Sequence, residues 1–320
     1  LSFASLLQAF QNRRALVVGD LMLDEYIFGR ATRISPEAPV IVVKQERQTA
    51  VPGGAANVAR NLVALGAKVS VVGVVGDDDP GQRLAASLRT FAEATLITDS
   101  DRPTTRKTRV LANHAHQVVR IDHEDERPAP AEIEARLLHA AKDRIKESDV
   151  LLISDYSKGG VTTSLIEALI AEARSAGVPV VANPKPRSVP HYRGAALVSL
   201  NRAESAAALG QASLESTEAL SAARSLRESL GVGALLITLG GDGMAAAWPE
   251  GAAQVPAVRV EVYDEAGAGD TVIATVALGV AADALDQTLL TLAAQTAAAV
   301  VRKVGVAAPD AADLAAIAQI

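Results

Sequence analysis

Short, unbroken apolar runs separated by amphipathic helical stretches recur from one end of this chain to the other. A strand that is apolar on both faces needs cover on both faces. A helix between successive strands supplies that cover and returns the chain to the same edge. Ala15–Val18, Lys68–Val74, Val150–Ile153, Val178–Ala182, Ala195–Leu200 and Ala234–Leu239 read as core strands. Helical patterns over about Ala55–Leu65, Ala131–Lys146, Thr163–Ala176 and Glu218–Leu230 fill the gaps between them. The expected fold class is α/β, a mainly parallel central sheet flanked by helices, with residues 1–320 as one domain.

Two stretches break this rhythm. Glu25–Gln48 and Thr104–Asp122 are rich in β-branched residues, polar alternation and turn formers. They read as inserted strands forming one small sheet that acts as a lid; the alternative is two irregular surface hairpins. The charge run Asp122–Arg127 reads as a solvated loop. The opening LSFASLLQAFQNRR lacks a basic region and reads as an amphipathic helix leading into the first strand, not as a targeting segment.

Composition removes several function classes. No apolar run combines the length and freedom from charge that a membrane span needs. A net charge of -6 argues against general nucleic-acid affinity, so no nucleic-acid partner is expected. With no Cys, disulfides, thiolate metal sites and Cys nucleophiles are excluded, and a reducing, cytoplasmic setting is favoured. His114 and His116 share one face of an expected lid strand, but no third ligand accompanies them, so polar surface or a subunit contact is the expected role.

The strongest chemical motif is Asp264-Glu265-Ala266-Gly267-Ala268-Gly269-Asp270, between a β-like stretch (Ala257–Val262) and an apolar helix (Thr271–Ala282). The two glycines let backbone N–H groups approach a ligand closely, and the helix start adds unpaired donors and a positive dipole end. An anion site beside the Asp270 carboxylate suits phosphoryl transfer to an alcohol, whose proton needs an acceptor. Taken alone, the motif reads more readily as a Gly-rich loop with an Asp favouring the helix start. Rival nucleotide signatures are missing. There is no GxxxxGK[ST] loop, and a GxGxxG pattern beginning at Gly267 fails at Val272.

Val51-Pro52-Gly53-Gly54-Ala55-Ala56-Asn57-Val58-Ala59 near one end and AGAGD near the other resemble the two signatures of the ribokinase-like (PfkB-type) carbohydrate kinases. The resemblance extends over essentially the whole chain. It implies a ribokinase-like fold, ATP and Mg2+ as cofactors, and a homodimer formed through the lid. It also implies that Asp270 is the catalytic base beside Gly267, Ala268 and Gly269, and that the sugar lies over Gly53, Gly54 and Asn57. Asp20 and Asp24 match positions whose carboxylates bind sugar hydroxyls in relatives. Asn201-Arg202-Ala203-Glu204 is similar to the family's NxxE motif, which makes Asn201 and Glu204 the expected Mg2+ and phosphate residues. Thr238-Leu239-Gly240-Gly241-Asp242-Gly243 resembles its nucleotide loop, with Thr238, Gly240 and Gly243 at the nucleotide.

Within that family, Arg33–Leu62, Ile153–Gly159 and Asn183-Pro184-Lys185 resemble the heptose 7-phosphate kinases. These act on the anomeric hydroxyl of D-glycero-β-D-manno-heptose 7-phosphate, toward ADP-heptose and the lipopolysaccharide inner core. The chain resembles their stand-alone form. A phosphorylated substrate needs cations, and Arg106, Lys107, Arg109, Lys158, Lys185 and Arg187 are candidates, with Asn183 beside them. Two departures from the family pattern stand out: Glu265 and Ala266, where Thr or a similar residue is usual, and Gln295-Thr296-Ala297-Ala298 in the penultimate helix region. A kinase of another sugar phosphate or nucleoside, or a non-catalytic sugar or nucleotide sensor, are the alternatives.

Overall fold

The computed structural model describes residues 1–113 and 116–320. His114 therefore lies outside the described residues, while His116 opens a strand. In chain order the strands are β1 (Arg14–Gly19), β2 (Leu21–Ile34), β3 (Ile41–Gly54), β4 (Lys68–Val75), β5 (Glu93–Thr98), β6 (Thr105–Ala112), β7 (His116–His123), β8 (Val150–Ser154), β9 (Val180–Asn183), β10 (Leu197–Asn201), β11 (Ala234–Thr238), β12 (Met244–Trp248) and β13 (Gly251–Val255). The helices are α1 (Phe3–Phe10), α2 (Ala55–Ala64), α3 (Asp79–Leu88), α4 (Ala131–Lys146), α5 (Thr163–Ala176), α6 (Arg202–Ala208), α7 (Ala219–Leu230), α8 (Ala268–Ala281), α9 (Gln287–Val301) and α10 (Ala311–Ile317).

The main sheet has nine strands in the order β13-β12-β11-β10-β9-β8-β1-β4-β5, parallel except for the β11-β12-β13 edge. Its strands alternate between two cores, as the two-residue side-chain period requires. Ala15 and Val17 of β1 face one core and Leu16 and Val18 the other; Val150 and Leu152 of β8 part from Leu151 and Ile153 in the same way. The first core is closed by α1, α2, α8 and α9, the second by α4, α5 and α7. Helix α8 is buried from Asp270 to Gly279, which explains its apolar sequence on every side. Gly279 makes room there for Leu289 of α9, which is fully buried.

A second sheet of four strands, in the order β3-β2-β6-β7, takes in both stretches that broke the alternating rhythm. β2 pairs antiparallel with β3 and parallel with β6, and β6 pairs antiparallel with β7. Strand β3 runs through Gly53 and Gly54 directly into α2, so the small sheet and the main body share a continuous backbone at that point.

Two readings change. Ala257–Val262 forms no strand. Pro256 cannot donate to a ladder, and the preceding hairpin β12–β13 already occupies the sheet edge. That hairpin escaped the sequence reading because Ala245, Ala246 and Ala247 carry little strand propensity. The Asp122–Arg127 run is not simply solvated, because Lys107 bridges Asp122 and Glu124, and Lys158 bridges Glu124 and Glu126.

Leu289→Ala would leave a cavity against Gly279 that the buried α8–α9 pair cannot fill. It is expected to lower the unfolding free energy by about 2–5 kcal/mol, read from urea unfolding followed by circular dichroism.

Candidate active site

The parallel strands deliver Asp20, Asp155, Asn183, Asn201 and Thr238 to one edge of the main sheet, at or just beyond the carboxyl ends of β1, β8, β9, β10 and β11. In open α/β sheets ligands bind outside that edge. Helix α8 begins against it. Gly267, at φ +86°, is the residue from which α8 starts, a left-handed conformation that favours glycine. The Ala268 N–H donates to the Glu265 carbonyl at 3.3 Å. The N–H groups of Gly269 and Asp270 have no partner among the described residues, and a Cβ placed on Gly269 would meet open space. Two donors thus stand at the positive end of the helix dipole.

Asp270 stands in the first turn of α8, buried. Asn57 of α2 donates from Nδ2 to its Oδ2 at 2.7 Å, and the Tyr156 hydroxyl donates to its Oδ1. Burial pushes the Asp270 carboxyl up to about 6, against the lowering effect of these two donors; nearby Asp24 raises it further and Lys185 lowers it. The other amide atom of Asn57, Oδ1, is buried without a partner among the described residues. An orphaned acceptor beside a buried carboxylate is what a ligand hydroxyl would satisfy. Asn61 and Thr271 bond each other beneath the pair at 2.7 Å and tie α2 to α8.

Gly53 approaches Asp24 so closely that an added Cβ would lie 1.9 Å from the carboxylate oxygen. Asp24 is ion-paired with Arg109 of β6, yet burial still pushes its carboxyl upward. Gly54 follows, and α2 begins at Ala55. Asp20 is differently employed from the sequence expectation. Its carboxylate accepts the backbone N–H groups of Tyr156 (2.8 Å), Lys158 (3.0 Å) and Gly160 (3.0 Å), and burial raises it to about 6. It organises the loop after β8 and has little capacity left for a sugar hydroxyl.

The expected cations are brought near the site but not into one cluster. Lys107 and Lys158 share Glu124. Arg106 lies 3.5 Å from the buried Glu25, with its own Nε unpartnered among the described residues. Lys185 pairs with Glu204 at 2.6 Å and lies 5.4 Å from the Tyr156 ring centre. Arg187 is exposed, and Asn183 keeps a buried Oδ1 without a partner among the described residues.

Asn201 and Glu204 form a capping box at the start of α6, each side chain bonding the other's backbone N–H at 2.9 and 2.8 Å. With Lys185 on its remaining oxygen, each Glu204 oxygen meets one donor of the two it can accept. Among the described residues no cluster of three or more His, Asp and Glu could hold a metal ion. Mg2+ that arrives with a nucleotide needs only one or two side chains besides phosphates and water, which this pair could supply. Thr238 ends β11 beside Asn201, and Gly240 and Gly243 turn the chain into β12.

Arg109, a candidate for the substrate phosphate from sequence, instead holds Asp24, and Tyr156 is a site residue that the sequence reading did not single out. Tyr156 stands two residues past the end of β8, and only its contact with Asp270 marks it.

The pfkB family carbohydrate kinase model matches residues 12–313. The bifunctional proteins HldE of Bradyrhizobium diazoefficiens and Caulobacter vibrioides are 42% and 43% identical to this chain over 98% and 99% of it. The chain spans 64% and 66% of their lengths, just under two thirds. Among solved structures, Escherichia coli phosphofructokinase-2 in complex with fructose-6-phosphate superposes with a TM-score of 0.78 at 18% identity, covering 97% of this chain and 99% of that one. Arabidopsis thaliana ribokinase complexed with ribose and ATP gives 0.72 at 18% identity, covering 97% and 100%. The α/β architecture with its separate small sheet is thus the ribokinase-like fold, and the chain belongs to the pfkB family of carbohydrate kinases.

Proposed function

We propose that this chain transfers the γ-phosphoryl group of ATP to the anomeric hydroxyl of D-glycero-β-D-manno-heptose 7-phosphate, giving the 1,7-bisphosphate. The observation that carries the chemistry is the buried Asp270 carboxylate beside two N–H groups at the start of α8 that have no partner among the described residues. In this reading the sugar hydroxyl gives its proton to Asp270 as its oxygen bonds to the γ-phosphorus and the bond to the leaving ADP breaks. The N–H groups of Gly269 and Asp270 bear on the charge of the transferring group. Asn57 holds the base and offers its free Oδ1 to a sugar hydroxyl, over the close backbone of Gly53 and Gly54. The heptose assignment is supported by the Arg33–Leu62 and Ile153–Gly159 segments and is compatible with the HldE relatives.

Mg2+ is proposed to arrive with the phosphates of ATP, and no step here runs through it. Residues 1–320 are read as one kinase domain, with about 25–48 and 104–122 as its lid. Closure of that lid would exclude water from the reacting phosphoryl group. No described helix is long and apolar enough to cross a membrane, and a cytoplasmic site of action is part of the proposal. The lid carries exposed Ile34, Ile41, Val119 and Ile121, an apolar display that supports a homodimer through this sheet.

ADP release should depend on heptose 7-phosphate and exceed that with fructose 6-phosphate or ribose. Asp270→Asn is expected to lower it roughly 10²–10⁴-fold. Turnover only with another sugar would discard the heptose assignment and keep the mechanism.

The base works only when ionised. With the Asp270 carboxyl raised to about 6, kcat/KM should climb with pH and reach half its plateau near that value. A profile already level from about pH 5 would take Asp270 out of the role. Sedimentation velocity should give a dimer, and Ile121→Asp a monomer.

A further inference from the structure

Both oxygens of the Asp270 carboxylate are met by donors from separate parts of the chain. Asn57 reaches Oδ2 from α2, and the phenol of Tyr156 reaches Oδ1 from the loop after β8. The phenol can act only as a donor here, because the carboxylate offers no proton in its ionised form and burial with the Asp270 charge drives the Tyr156 hydroxyl well above its ordinary value.

The loop that carries Tyr156 is held on several sides. Asp20 accepts the N–H groups of Tyr156, Lys158 and Gly160. Asp155 accepts the Ser157 N–H at 2.7 Å and the hydroxyl of Ser188. The Lys158 ammonium is tied to Glu124 at 2.8 Å and Glu126 at 2.7 Å. A side chain on so fixed a base has little freedom to aim elsewhere. The fixation comes from backbone N–H bonds to two buried carboxylates, Asp20 and Asp155.

We propose that Tyr156 is a positioning residue for the base, its hydroxyl fixing the plane of the Asp270 carboxylate and favouring the ionised form that can take the sugar proton. Tyr156 keeps its own proton throughout. The sugar proton passes to Asp270 and then, after the phosphorylated product leaves, to solvent. The charged and titratable groups that bear on Asp270 are Asp24 from β2, Lys185 beyond β9, Arg60 from α2 and Tyr156 itself. Asp24 opposes ionisation while Lys185 and Arg60 favour it, so the phenol acts with two cations against burial and one anion. The effect on turnover rests on Asp270 being the base. The effect on its titration does not.

Tyr156→Phe removes only the hydroxyl. A donor to the ionised form lowers a carboxyl pKa, so its loss should move the Asp270 titration upward by roughly one unit. The ligand-free protein can be titrated by 13C NMR of Asp carboxyl carbons, with the Asp270 signal identified by its loss in Asp270→Asn. The acid limb of kcat should move the same way, so that kcat falls about fivefold near pH 6 and much less above pH 8, with KM for ATP unchanged. An Asp270 titration that superposes on the parent's would overturn the proposal. So would a uniform fall in kcat at every pH with the limb unmoved. If Asp270→Asn remained active, the base reading and the kinetic half of the proposal would fall together, while the NMR shift would still decide whether Tyr156 controls Asp270. Equal thermal midpoints for parent and Tyr156→Phe would check that the fold is intact.

Discussion

A carboxylate can be buried in a protein only where donors or cations meet it, and much of this structure serves to bring donors to Asp270. Helix α8 carries the carboxylate inward at its first turn. Helix α2 supplies Asn57, and the edge of the parallel sheet supplies Tyr156. Each of these is itself fixed by a second polar contact. Asn61 and Thr271 lock α2 to α8, and Asp20 anchors the Tyr156 loop through the backbone. Burial has pulled the carboxyl up into the range where it can both lose and gain a proton near neutrality. The helix start beside it leaves two N–H groups without partners among the described residues, so a proton acceptor and donors of the kind that suit an anion lie side by side.

The charged groups around this centre are mostly neutralised by one another. Arg109 faces Asp24, Lys185 faces Glu204, Lys158 faces Glu124 and Glu126, and Arg83 faces Glu25. A phosphorylated ligand entering here would compete with protein carboxylates for those cations. Exchange of partners, not the filling of a prepared cluster, is the electrostatic event that such a pocket permits.

Much of the architecture was legible in the sequence because two-faced apolar strands leave little choice of fold. The helix at Thr163–Ala176 matches its observed limits, and most core strands agree to within a residue or two. Motifs were legible where they rest on backbone needs, as at Gly267. Asp20 was harder to read, since a carboxylate at a strand end looks the same whether it faces a ligand or three N–H groups of a neighbouring loop. Glu204 hid a similar ambiguity, because the Asn-x-x-Glu spacing also writes a capping box. Tyr156 gave no signal of its own; its meaning comes from Asp270, 114 positions away in the chain.

The continuity of β3 with α2 has a mechanical side. Fourteen residues of extended chain reach from Ile41 to Gly54, up to ~45 Å end to end. With the near end anchored at the glycine pair, the small sheet is a long arm on a short pivot. A swing of ~10° would carry the far end through ~8 Å while shifting the pivot by a small fraction of that. Any excursion at the rim would thereby be geared down to a fine adjustment at Asn57, the first residue beyond the pivot that touches Asp270.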